Sequence, residues 1–178
     1  AKGLMLQAIA EADPVLFFEP KALYQTSCEV PAEMYTIPFG QAAIVREGDD
    51  CTVVAFGQMV GRAAAAIDAL AEEGITCDLI DPRTSSPLDT ASILESVEAT
   101  GRLVVVDESP PRCGLTADIA ALAADRAFHS LKGPIKQVCA PHSPTPFSPE
   151  LEAAYLPDAN KIMAAIRPIE EALFKLAC

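Results

Sequence analysis

From about Gln41 onward, short β-rich apolar runs alternate with longer Ala-rich amphipathic runs, the pattern of strand–helix–strand units. Ala43–Arg46 and Thr52–Phe56, separated by Glu47-Gly48-Asp49-Asp50, read as two strands joined by a hairpin turn. Gln58–Glu73 predicts a helix closed by Gly74. Ile75–Ile80 reads as a strand, and Asp89 as the N-cap of a helix that runs to about Thr100 and stops at Gly101. Arg102–Val106 lies between Gly101 and an acidic turn and is too short for a helix, so it predicts a fully buried strand. Leu115–Phe128 predicts a helix, Ile135–Cys139 a strand, and Asn160–Arg167 a last helix. Pro168 is expected to break that helix and leave Ile169–Ala177 as a separate helical turn.

Upstream, Lys2–Ala12 carries helical spacing until Asp13-Pro14, and Val15–Phe18 reads as a buried strand. Glu19–Gly40 holds Pro20, Pro31 and Pro38 with no sustained periodicity, which marks a linker and a domain boundary. The expected fold class is α/β: a three-layer, mostly parallel sheet with helices on both faces and right-handed crossovers. Functional loops in such sheets sit at the carboxyl ends of the strands. Here those are Gly57–Gly61, Asp81–Pro87, Asp107–Gly114 and Ala140–Pro149.

Charge narrows the partners. The 178 residues hold 13 Lys or Arg against 25 Asp or Glu, a net charge of -12. The cations are scattered, which disfavours nucleic acid and favours a basic partner or a neutral small molecule. No apolar run is long enough for a bilayer and no export signal is evident, so a cytoplasmic protein is expected. Six cysteines without a Cys-x-x-Cys pair, alongside only His129 and His142, argue against a zinc site. Most of the thiols are expected to be small buried hydrophobes. The first residue is Ala1 rather than Met, which suggests a piece of a longer polypeptide.

The loops offer limited chemistry. Gly57-Gln58-Met59-Val60-Gly61 could present backbone N–H groups to an anion, or simply make a tight turn and a close helix contact. Asp107-Glu108-Ser109-Pro110-Pro111-Arg112-Cys113-Gly114 groups carboxylates, a guanidinium and a thiol. Cys113 as a nucleophile would need Arg112 and the following helix to lower its pKa and His142 as a base. The alternative is that Arg112 pairs with Asp107 or Glu108 across a domain or subunit contact. His142, in the proline-stiffened Pro141–Pro149 loop, is a weak catalytic candidate or a hydrogen-bonding strut. His129 reads as a helix C-terminal dipole partner, and Glu72-Glu73 and Glu170-Glu171 as solvated faces.

A succession of segments then carries a resemblance. Lys2-Gly3-Leu4, Pro14-Val15-Leu16-Phe17-Phe18-Glu19-Pro20-Lys21-Ala22-Leu23-Tyr24, Tyr35-Thr36-Ile37-Pro38-Phe39-Gly40, Asp81-Pro82-Arg83-Thr84 with Ser86-Pro87-Leu88-Asp89, Gly101–Val106 and Pro146-Phe147-Ser148-Pro149 appear in an order that resembles the beta subunit of thiamine-diphosphate-dependent 2-oxo acid dehydrogenases. Pro110-Pro111-Arg112-Cys113 and Ala140-Pro141-His142 resemble the pyruvate and acetoin dehydrogenase branches more than the branched-chain one.

The resemblance implies that residues 1–21 are the last helix and strand of a pyrimidine-binding domain, 22–40 an interdomain linker and 41–178 a transketolase-type C-terminal domain. It implies thiamine diphosphate and magnesium in the full enzyme, with the catalytic and cofactor residues upstream of this chain, no cofactor or metal held by it, and no turnover by it alone. It implies, as partners, an alpha subunit, a second beta subunit in an alpha2-beta2 heterotetramer through a homo-oligomeric contact of this domain, and a lipoyl acyltransferase core. Arg83, Asp107, Glu108, Arg112, His142 and Phe147 are then candidate interface residues. The competing readings are the C-terminal domain of a transketolase or deoxyxylulose-phosphate synthase, and an independent anion-binding α/β module using the Gly57 and Arg112 loops.

Overall fold

The computed structural model describes residues 1–174. Helix α1 spans Lys2–Ala10, and an extended segment interrupted by a 3-10 turn at Lys21–Leu23 leads to strand β1 (Ala43–Arg46). There follow β2 (Cys51–Ala55), α2 (Met59–Ala71), β3 (Cys77–Asp81), α3 (Thr90–Thr100), β4 (Leu103–Val106), α4 (Leu115–Arg126), β5 (Lys136–Val138), α5 (Pro149–Tyr155) and α6 (Ala159–Phe174). The strands form one sheet in the order β1-β3-β2-β4-β5, with β1 antiparallel and the rest parallel. The mostly parallel α/β sheet with helices on both faces is as expected.

Strand alternation divides the core. Val53, Ala55, Leu79, Val104 and Val106 face one layer, where they pack with Met59, Ala63, Ala66 and Leu70 of α2 and Ile162 and Ile166 of α6. Val54, Ile80, Leu103 and Val105 face the other, against Ile93 and Val97 of α3 and Ile119 and Ala123 of α4. All five β2 residues and all four β4 residues are buried. That two-sided burial is why these strands are rich in Val, and each buried Val side chain contributes about 1.5–3 kcal/mol of transfer free energy.

The helix signals act as read. Asp89 caps α3 through a hydrogen bond from the Ser92 amide, and Gly101 ends it in the left-handed region at φ 75. Gly74, at φ 85, turns the chain after α2, and the Ile75 amide donates back to the Leu70 carbonyl.

Four readings need correction. Ala43–Arg46 and Cys51–Ala55 are not a hairpin, because β1 pairs with β3. The Glu47–Asp50 turn instead lies against the start of β3: the Gly48 amide donates to Asp78 Oδ1 at 3.0 Å and the Thr76 amide to Asp50 Oδ2 at 2.7 Å. Val15–Phe18 is an unpaired extended segment with Leu16 and Phe18 exposed, not a buried strand. Helix α6 runs through Pro168 to Phe174, carried by the anchorage of Ile162 and Ile166 in the core; the remainder of the expected Ile169–Ala177 turn lies outside the described residues. Cys51 and Cys77 are buried, but Cys28 and Cys113 are exposed and Cys139 is half-buried. Among the described residues no helix is long and apolar enough to cross a membrane.

Candidate functional site

Two of the four loops foreseen at the carboxyl ends of the strands, Gly57–Gly61 and Asp81–Pro87, converge with the upstream segment, joined by Leu115 at the start of α4. A cleft of about 550 Å³ lies between Phe18, Tyr24 and their neighbours on one side and Phe56, Arg83, Ser85 and Leu115 on the other. The run Val15–Phe18 was visible as apolar sequence. That it meets the ends of β2 and β3 was not, because no local signal fixes where an unpaired extended segment docks.

Arg83 sits at this cleft with φ 61, a left-handed backbone uncommon for a residue with a side chain. The turn is held by its own amide, which donates to Asp81 Oδ1 at 3.0 Å. Burial pushes the Asp81 carboxyl up, against the opposing effect of the Arg83 amide and charge. Across the cleft the Tyr24 hydroxyl donates to Glu19 at 2.8 Å, and that hydrogen bond to a carboxylate pushes the phenol up.

The Gly57 loop does make the expected tight turn, with φ 53. Its anion reading meets an obstacle: the Gln58 side chain donates to the Glu108 carboxylate, which places a negative charge beside the start of α2. Asp107 is nearly buried and engaged by its own loop, accepting the Glu108 amide at 2.8 Å on Oδ1 and the Ser109 hydroxyl on Oδ2. Arg112 is exposed, and among the described residues neither Asp107 nor Glu108 forms an ion pair with it.

Cys113, exposed at φ 55, precedes Gly114, the N-cap of α4. A Cβ at Gly114 would lie 3.0 Å from the Pro110 carbonyl oxygen, so the loop closes tightly on itself. Among the described residues no hydrogen bond joins Cys113 to His142. The latter is exposed on a loop held from below by the Tyr155 hydroxyl, which donates to the Ser143 carbonyl at 3.2 Å. Tyr155 packs with Ala140 and Leu156, and Phe147 projects fully into solvent. The half-buried thiol is Cys139, beside the Thr116 hydroxyl at 3.4 Å; burial pushes it up, so it is a poor nucleophile.

A magnesium ion carrying a diphosphate takes oxygen ligands, from carboxylates among others. Among the described residues no cluster of three or more His, Cys, Asp or Glu side chains could hold a metal ion. The cleft is largely aromatic and aliphatic, and its lining does not offer such a ligand set for thiamine diphosphate with magnesium. What the arrangement supplies is a set of stiff, self-braced loops with exposed Arg112, His142 and Phe147.

Comparison with known proteins agrees with this geometry. Residues 40–162 match the family described as "Transketolase, C-terminal domain". The chain is 55% identical over 93% of its length to the acetoin:2,6-dichlorophenolindophenol oxidoreductase subunit beta of Cupriavidus necator, covering 49% of that protein. It is 51% identical over 92% of its length to the Bacillus subtilis protein of the same name, covering 48% of it. To the pyruvate dehydrogenase E1 component subunit beta of Bacillus subtilis it is 41% identical over 96% of the chain and 53% of the relative. The chain thus spans about half the length of the curated relatives it matches. A solved structure titled "Split gene transketolase, inactive beta4 tetramer" superposes with a TM-score of 0.67 at 26% identity, covering 75% of this chain and 43% of that one. On the family match across most of its length, the chain belongs to the transketolase C-terminal domain family.

Proposed function

We propose that this chain is the C-terminal assembly and interaction domain of the beta subunit of a thiamine-diphosphate-dependent dehydrogenase of the acetoin or pyruvate dehydrogenase kind. The full enzyme cleaves acetoin or a 2-oxo acid and passes the acyl group to lipoamide. The observation that carries this reading is the 55% identity over 93% of the chain to an acetoin oxidoreductase beta subunit. The 41% identity to a pyruvate dehydrogenase subunit ranks acetoin ahead of pyruvate. The transketolase reading is weaker, since the transketolase likeness is 26% identical.

In this reading residues 1–21 close a pyrimidine-binding domain, 22–40 link it and 41–178 form the C-terminal domain of a cytoplasmic enzyme. Thiamine diphosphate and magnesium are held by the alpha subunit and by beta-subunit residues outside this chain. The exposed apolar residues Leu16, Phe18, Tyr24 and Phe147 and the braced loops around Arg83, Arg112 and His142 meet the neighbouring domain and subunits. The charge of -12 suits a basic docking module of a lipoyl acyltransferase core.

The test is reconstitution. The full-length subunit carrying this chain, mixed with its alpha subunit, thiamine diphosphate and magnesium, should reduce dichlorophenolindophenol with acetoin faster than with pyruvate. The 178-residue chain alone should give no turnover. Activity of the isolated chain, or failure of the two subunits to associate, would overturn the reading.

A further inference from the structure

The connection between residues 31 and 42 is tied down at both ends by side chains whose partners are backbone groups. At one end the Lys2 ammonium donates to the carbonyls of Pro31 (2.6 Å), Ala32 (3.2 Å) and Glu33 (2.7 Å), and the Ile37 amide donates to the Gly3 carbonyl at 3.1 Å. Gly3 allows this approach, since a Cβ there would press on the Tyr35 ring and on Ile37. At the other end the Gly40 amide donates to Thr84 Oγ1 at 2.9 Å, and the Ala42 amide to Asp89 Oδ2 at 2.8 Å. Thr84 in turn donates to the Pro87 carbonyl at 2.7 Å, and Asp89 is already the cap of α3. Both residues therefore join the connection to groups fixed by the sheet layer. Gly40, at φ 75, lies close to the Pro87 ring, which would stand 3.1 Å from a Cβ at that position. Among the described residues α1 makes no extensive contact with any strand or helix of the sheet layers.

We propose that the Asp81–Asp89 loop is a clasp, in which Thr84 and Asp89 are positioning residues that fix residues 31–42 as a rigid strap and so set where the upstream segment stands relative to the sheet. The role explains why the stretch Asp81-Pro82-Arg83-Thr84-Ser85-Ser86-Pro87-Leu88-Asp89 carries hydrogen-bonding side chains at Thr84 and Asp89 without offering a reactive set. It rests on the reading that residues 1–21 belong to another domain and that 22–40 link it to the sheet.

The experiment is hydrogen exchange with peptide mapping on the full-length polypeptide that carries this chain, comparing wild type, Thr84→Val, Thr84→Ser and Asp89→Asn. Asn keeps an oxygen for the cap but cannot serve both amides, and Ser keeps the hydroxyl. The expected result is exchange roughly three- to tenfold faster at the Ile37 amide as well as at Gly40 and Ala42 in Thr84→Val and Asp89→Asn, wild-type rates in Thr84→Ser, and unchanged protection of β2 and β4. Acceleration confined to Gly40 and Ala42, or none, overturns the strap; so does failure of Thr84→Ser to restore protection. Association of the wild-type subunit with its alpha partner is scored separately, so the domain reading can fail without the clasp failing and the reverse.

Discussion

The Ser96 hydroxyl donates to the Asp78 carboxylate at 2.6 Å, binding α3 to β3 from a buried position. The Thr52 hydroxyl lies 2.7 Å from Ser96 and 2.9 Å from Thr100, which extends the chain of hydroxyls under β2. Removing the central member leaves the buried Thr52 and the half-buried Asp78 each short of a partner. Ser96→Ala is expected to lower stability by about 1–3 kcal/mol, read as a fall in the urea midpoint at unchanged slope.

Two glycines should respond in opposite directions. A Cβ on Gly48 would drive into the backbone of Thr76 and Cys77, which has no room to yield inside the sheet. Gly61 lies within α2 with open space around it. Gly48→Ala should therefore lower the thermal midpoint sharply, while Gly61→Ala should gain up to about 1 kcal/mol from helix propensity. Thermal denaturation of both variants side by side checks the pair.

Acid titration should separate two carboxylates. Glu73 is held below its ordinary value of 4.5 by the Arg167 guanidinium, which donates to it at 2.6 and 3.1 Å. Its contribution is complete above the unfolded value and is lost as pH falls through the depressed folded one. Because the pair is exposed, Glu73→Gln should cost little at neutral pH, and that little should shrink in high salt.

Asp81 has the reverse sign. Its folded pKa is raised by burial above the ordinary 3.8, so stability falls as pH rises from there through the folded value. Asp81→Asn keeps an oxygen for the Arg83 amide and should raise the thermal midpoint at pH 7, the gain vanishing below about pH 3.

Thiol labelling reads burial directly. In the native chain Cys28 and Cys113 should react promptly with an alkylating reagent, and Cys139 slowly because burial pushes its pKa up. Cys51 and Cys77 should react only on unfolding, as peptide mapping after a timed pulse would report.

The sequence conveyed what depends on neighbours along the chain. The Val-rich runs of β2 and β4, the Asp89 cap and the Gly101 stop were legible because burial on two faces and the end of a helix each leave a local signature. The partner of β1 was not. Glu47–Asp50 has the composition of a hairpin turn, but β3 and β4 occupy both edges of β2, so β1 pairs with β3 at the rim of the sheet. The site was legible to a lesser degree. The four loops do follow the carboxyl ends of β2, β3, β4 and β5, and Arg83 lines the cleft. Thr84, Asp89 and the cleft shared by Phe18 and Phe56 depend on the approach of distant segments, which no spacing records.

The antiparallel pairing of β1 with β3 also orders events in time. Ala43–Arg46 is synthesised before the strand it pairs with, and it must wait until the chain through Asp81 has been made. The parallel β2–α2–β3 unit can assemble first from nearer contacts, with β1 arriving afterwards as the edge. Since the Thr84 and Asp89 bonds also come from beyond β3, the connection before β1 stays unanchored at that end for the same interval on the ribosome.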